Sequence, residues 1–254
     1  LLPGRRVSAE FPLSILNPDG SSAETSGNGL RIFSRWLWDT GQVSSEPFTI
    51  YTGFKTVRAQ ILDDGKRISV EMGQAVVEAL GQALVVAGQT VSAHIVSMGN
   101  PHCVVVGEVV TSTKLSTSSA EIARRLGPLI ENHPRFPNRT NVQFIEPINR
   151  NAIRIEIWER GAGYTLASGS SACAAAVVAH KLGWCDETIA VHMPGGVLDV
   201  QIAPDGSVTQ TGPVVKIAEG VVAAAVMSTS SAEIPASKAA AEPFGKLKNH
   251  LLQP

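Results

Sequence analysis

A chain of 254 residues, 44% of them hydrophobic, is long enough to bury two separate cores. Lys and Arg total 21 against 22 Asp and Glu, a net charge of −1, and no basic run is interleaved with aromatics, which argues against a nucleic-acid partner. No stretch is long enough for an uninterrupted membrane span and the start, LLPGRRVSAE, is unlike a signal peptide, so the expected location is cytoplasmic.

In chain order, FPLSIL (11–16) reads as a strand and NPDG (17–20) as a turn. RIFSRWLWD (31–39) has helical spacing and stops before Gly41. Residues 54–72 read as two strands around Asp64 and Gly65, a hairpin signal. VSAHIVS (91–97) and CVVV (103–106) flank the tight segment MGNPH as further strands, and a helix is expected over 118–131 with Ser118 or Ser119 as its cap. NVQFIEPI and AIRIEIWERG supply more strands, followed by a nearly all-apolar helix that begins with Ser168, Gly169, Ser170 and Ser171. Residues 190–214 form two or more strands around Pro194-Gly195-Gly196 and Pro204-Asp205-Gly206. The pattern is α+β, not a regular alternation of strand and helix, and no Gly-rich phosphate loop is present. After Met227 large apolar residues become scarce, which reads as an extension.

One pattern occurs twice. Ser26-Gly27-Asn28 opens one helix and Ser168-Gly169-Ser170 the other. First-turn N–H groups lack helical partners and the peptide dipoles make that end attractive to anions, so two such ends facing each other would hold a small carboxylate. Two ordinary N-caps would give the same sequence.

Four stretches, NPDGSSAETSGNGLR, MGNPHCV, RTNVQFIE and WERGAGYTLASGSSACAAA, in this order and spacing closely resemble the diaminopimelate epimerase family, from about Phe11 to about Val222. The resemblance implies two pseudo-symmetric domains, each a curled, mostly antiparallel sheet around a central helix. The N-terminal half would span 1–90, completed by 213–227, the C-terminal half 91–212, and the extension 228–254. It implies a site in the cleft between the halves that interconverts LL- and meso-diaminopimelate, on the route to lysine and peptidoglycan precursors, with no cofactor and no metal. Two opposed cysteines would carry the proton. The expected partner is a small amino-acid substrate, diaminopimelate or similar, and the resemblance allows a homodimer.

Carried over by position, the resemblance makes Asn17, Asn100 and Asn141 ligands for polar groups of the substrate. Gly27, Asn28, Gly169 and Ser170 would donate to the α-carboxylate, and His102, Glu159 and Arg160 would frame the reacting centre and the amino group. By residue type alone, Asn17 could close a turn, His102 could be a structural histidine and Glu159 with Arg160 a surface ion pair.

The sequence departs from the family where the chemistry is carried. The positions of the two catalytic cysteines are Ser26 and Ser168. A thiol of ordinary pKa about 8.5 can be tuned to act as a base at neutral pH, whereas a serine hydroxyl needs a base beside it. Cys103, Cys173 and Cys185, an odd number without C-x-x-C spacing, read as reduced thiols that do not replace the missing pair. Family members carry an N-terminal segment with a Gly-Asn motif that adds a strand and substrate contacts, and the sequence begins downstream of it, so that segment either belongs to a longer chain or has been lost.

Three readings follow: an epimerase with its cysteines exchanged for serine and therefore weak or inactive; a natural relative with other chemistry, an isomerase, dehydratase or cyclase using Glu24, His102 or Glu159; or a non-catalytic binder of a small molecule or a protein.

Overall fold

The computed structural model describes residues 10–16, 26–106 and 118–220. Thirteen strands and three α-helices are seen among them. The first half of the chain gives β1 (Glu10–Pro12), α1 (Gly27–Asp39), β2 (Phe48–Tyr51), β3 (Thr56–Leu62), β4 (Arg67–Gln74), β5 (Val76–Val86), β6 (Gln89–Ser97) and β7 (Pro101–Val106). Then come α2 (Ser119–Glu131), β8 (Asn141–Asn149), β9 (Ala152–Glu159), β10 (Gly163–Thr165), α3 (Gly169–Lys181), β11 (Thr188–Met193), β12 (Gly196–Ile202) and β13 (Ser207–Pro213).

The strands join in the order β1-β2-β3-β4-β13-β12-β11-β9-β8-β7-β6-β5, with β10 also on β9. Pairing is antiparallel except at β1/β2, β7/β8 and β9/β11, which makes the fold α+β with a mostly antiparallel sheet. Alternation sets the inner face: β3 buries Val57, Ala59 and Ile61 and turns Thr56 and Arg58 outward. Residue 90 lies near the start of β6, in the hairpin that β6 forms with β5.

The helices differ in how they are covered. α3 is buried continuously from Ser171 to Ala179. Its alanines let strands β6 to β9 and β11 to β13 pack around it. α1 is amphipathic: Gly27, Leu30, Arg31, Ser34 and Leu37 are buried at helical spacing, while Ile32 and Trp36 are exposed. α2 begins with a reciprocal cap, in which Glu121 N donates to Ser118 Oγ at 3.3 Å and Ser118 N to Glu121 Oε2 at 2.8 Å. One hydrophobic core joins α1 and α3 to β2, β3 and β4, and a smaller one lies between α2 and β5 to β8.

Several elements match the expectations above: the hairpin at Asp64 and Gly65, α2 with Ser118 as its cap, and the serine-led α3. Others differ. The strand expected over 11–16 is paired only over Glu10–Pro12, with an isolated bridge at Leu16, because its parallel neighbour β2 is only four residues long. The first helix starts at Gly27, one turn before Arg31, because Ser26 caps it there. β2 and β5 are additional strands.

These elements belong to a compact unit that ends at Val214; of the unit from Val215, the described residues carry no regular element and one exposed ion pair, Lys216 to Glu219. The extension expected over 228–254 lies outside the described residues, as do Asn17, the turn at 17–20 and Glu24. Among the described residues no helix is long and apolar enough to cross a membrane.

Candidate active site

The site is built on the starts of α1 and α3. Ser26 and Ser168 occupy the N-cap positions with nearly the same extended backbone, φ −143° and ψ 112° against φ −148° and ψ 125°. Each is followed by glycine, and the two ends touch: a Cβ on Gly169 would lie 3.1 Å from Gly27 Cα. It would also lie 2.5 Å from Gln210 Oε1, and a Cβ on Gly27 would lie 2.0 Å from Gln210 Nε2. Only glycine therefore fits at the first position of either helix as they stand. Gln210 reaches this junction from β13 and is fully buried; its Nε2 donates to Met72 Sδ at 3.0 Å, and its Oε1 has no hydrogen-bond partner.

Above the junction is a polar cavity of about 110 Å³, lined by Ser26, Gly27, Asn28, Asn100, Asn141, Glu159, Ser168, Gly169 and Ser170. One water needs about 10–15 Å³ of such volume, so there is room for a small polar group. Each helix contributes three consecutive residues to the wall, its N-cap and its first two helical positions, so the N–H groups that the helices leave unpaired cluster here.

The two serine hydroxyls are used differently. Gly29 N donates to Ser26 Oγ at 3.1 Å, a normal N-cap, whereas Ser168 makes no such bond. Ser168 is 6% exposed and its hydroxyl has no capping duty.

Around the serines the side chains are held by their neighbours. Arg31 Nη2 donates to Asn28 Oδ1 at 2.7 Å. Asn141 is tied on both sides, donating to Pro101 O at 2.9 Å and accepting from Arg160 N at 3.0 Å. Thr165 Oγ1 donates to Glu159 Oε2 at 2.9 Å. Asn100 Oδ1 lies 3.0 Å from His102 Nε2, which makes this ring nitrogen the one that carries the proton with the amide as oriented.

His102 stands behind Asn100 and is not part of the cavity wall. It is fully buried, and burial pulls its pKa down to about 3, with the Gln143 side chain opposing the shift and the Arg160 charge adding to it. The imidazole is neutral at physiological pH. Arg160 meets the site through its backbone N–H, while its exposed guanidinium reaches Asn138 O at 3.4 Å. Among the described residues it forms no ion pair with Glu159. The cysteines are free and buried, and burial pushes the Cys103 and Cys173 thiols up to about 12 and raises that of Cys185. None lines the cavity.

All nine lining residues are among those expected from the sequence, whereas three that support them, Gln210, Arg31 and Thr165, are not. Gln210 was signalled by alternation, since Val208, Gln210 and Gly212 are the inward positions of SVTQTGP. Arg31 lies one helical turn from Asn28, the spacing at which side chains meet.

A family model described as diaminopimelate epimerase matches residues 94–217. The chain is similar to diaminopimelate epimerase 2 of a Nostoc species, 46% identical over 230 residues that make up 86% of this chain and 78% of that one. It is 37% identical over 228 residues to diaminopimelate epimerase of Moorella thermoacetica, covering 84% and 79% of the two chains. Among solved structures it resembles a hydroxyproline epimerase from Agrobacterium vitis, with a TM-score of 0.60 at 17% identity over 84% of this chain and 70% of that one, a likeness of fold.

Proposed function

The chain belongs to the diaminopimelate epimerase family, and from that premise we propose that its cavity is the amino-acid site of a cofactor-independent epimerase acting on diaminopimelate, with turnover weakened or lost because serine stands at both acid–base positions. The observation that carries this reading is the matched pair of N-caps, Ser26 and Ser168, on a single polar cavity. One serine comes from the half assigned to 1–90 and 213–227, the other from 91–212.

The substrate's α-carboxylate sits against the first-turn N–H groups at Gly27, Asn28, Gly169 and Ser170. As the α-proton leaves, negative charge develops on that carboxylate, and fixed dipoles stabilise it without reorganising. Glu159 takes the ammonium group, and the Asn100 and Asn141 amides orient the rest of the molecule. Asn17 belongs to this set through the family resemblance.

The missing part is the base. A hydroxyl cannot take a proton from carbon at neutral pH without a base at its oxygen. His102 stands behind Asn100, off the cavity wall, and none of the buried thiols lines the cavity. Among the described residues the site thus binds and polarises substrate but lacks the groups that move its proton.

The experiment is solvent exchange. LL- or meso-diaminopimelate is incubated with the protein in deuterated water and α-deuterium is followed by mass spectrometry, for the chain as it stands and for the Ser26→Cys, Ser168→Cys double variant. The double variant is expected to exchange at least about a hundredfold faster, the scale of acid–base catalysis by a placed side chain. No exchange in either, together with no binding, would sink the reading and send the search to other substrates.

A further inference from the structure

Behind the carboxylate site lies a buried cation that the scheme above does not use. Arg31 is 7% exposed, Nη2 donates to Asn28 Oδ1, and the remaining guanidinium nitrogens, Nε and Nη1, are buried without a hydrogen-bond partner. Among the described residues no carboxylate pairs with it. Room for it is left by a glycine on β13: a Cβ on Gly212 would lie 3.2 Å from Arg31 Nε, 3.4 Å from Cζ and 2.2 Å from Leu198 Cδ2. Burial lowers the guanidinium pKa to about 10, which still leaves it protonated at neutral pH.

A buried charge with at least three of its five donors idle is a poor way to stabilise a fold, since an apolar side chain of similar volume usually does as well or better. Its place gives it another use. Asn28 is the second residue of α1 and lines the cavity, and Arg31 follows one turn later on the same face. The guanidinium takes the oxygen end of the Asn28 amide, so the two N–H groups of that amide are left for the cavity. At 2.7 Å the bond has the length of a charge-assisted one, which fixes the amide against flipping and polarises its N–H groups.

We propose that Arg31 is a positioning residue for an anionic ligand: it locks Asn28 with its donors toward the cavity and adds a buried positive charge behind the two helix ends. The proposal rests on the reading that the cavity takes a carboxylate, and it deepens that reading.

The test separates the two. Acetate, a bare carboxylate, is titrated into the 15N-labelled protein while the Asn28 side-chain amide and the Gly27 and Gly169 backbone amides are followed by NMR. Meso-diaminopimelate is titrated in parallel. Variants are Arg31→Met, Arg31→Lys, Asn28→Ala and Arg31→Met with Asn28→Ala. Arg31→Met is expected to weaken acetate binding about tenfold, the loss of one charge-assisted contact, while the melting temperature stays level or rises. In the Asn28→Ala background the same change costs at most about threefold, because part of its effect passes through that amide. Arg31→Lys keeps the charge without the planar fork and falls between. If Arg31→Met does not fold, Arg31→Lys carries the comparison.

Unchanged acetate affinity in a folded Arg31 variant, a loss of stability without a loss of affinity, or no acetate response in the parent chain would each overturn the proposal. Acetate binding that depends on Arg31, without binding of diaminopimelate, would uphold the proposal and overturn the substrate assignment.

Discussion

The two serine-led helices begin alike and then part. At their N-caps the backbones superimpose in angle, each is followed by a glycine pressed against the Gln210 side chain, and each sends its next residue to the same cavity. Beyond the first turn, α1 is a surface helix with one buried face and a buried cation behind it, whereas α3 is enclosed by strands and has a buried neutral imidazole near its start. The Gln143 side chain that adjoins His102 donates from Nε2 to Ser171 Oγ at 3.0 Å in the first turn of α3. An anion held between the ends would require them to match, while the rest of each helix answers to its own packing neighbours. Symmetry is therefore kept over three residues and lost within the next turn.

This comparison can be broken first at the glycines. Gly169→Ala should cost about 3 kcal/mol, because the added methyl meets both the Gln210 amide and the backbone of α1, and overpacking a dense junction falls in that range. Gly27→Ala should cost less, about 2 kcal/mol, since the three atoms nearest its methyl all belong to the Gln210 side chain and none to backbone. Combining each with Gln210→Ala sharpens the point: chemical denaturation should show most of the Gly27→Ala cost recovered and less of the Gly169→Ala cost.

Acid should next set the two helices apart. The folded chain holds the His102 pKa at about 3 and the unfolded chain near 6.5, so between those values the unfolded state binds more protons. Stability from this group therefore rises with pH across that window, by up to about 1.4 kcal/mol per pH unit, and is level above it. His102→Gln should remove that share of the slope in pH-dependent denaturation. Hydrogen exchange should show the hydrogen-bonded amides of α3 from Ala172 onward losing protection below pH 6.5 before those of α1 from Leu30 onward; equal loss in both would mean that the histidine is not coupled to α3.

The smallest effects concern the hydroxyls. Ser26→Ala removes a formed cap and should cost about 1 kcal/mol, whereas Ser168→Ala removes a hydroxyl with no capping bond and should cost only a few tenths of a kcal/mol. Equal costs in thermal unfolding would mean that Ser168 caps its helix after all.

How much could be read in advance follows the range of the interactions. The cap at Ser118 and the hairpin at Asp64-Gly65 are written in a few adjacent residues, and so are the two Ser-Gly helix starts. β5 is not: VVEALGQALVV mixes residues that favour helices with β-branched ones, and pairing with β6 decides its state. Gln210 and Gly212 gain their meaning only when β13 passes beneath the helix starts, contacts that for α1 span most of the chain. His102 was legible as a member of the MGNPH motif, yet its burial behind Asn100 depends on the pairing of β7 with β6 and β8. The cavity wall was readable because its residues lie in short motifs; of the supports behind it, Arg31 and Thr165 lie in the same motifs and gain their roles from local contacts to Asn28 and Glu159, whereas Gln210 arrives from a distant strand.

The central claim is that the two helix ends make one anion site. Titrating 15N-labelled protein with meso-diaminopimelate and following the backbone amides of Gly27 and Gly169 tests it most directly. The account predicts that both amides shift along a common saturation curve with a single Kd. A shift at one glycine alone, or two curves with different midpoints, would contradict it.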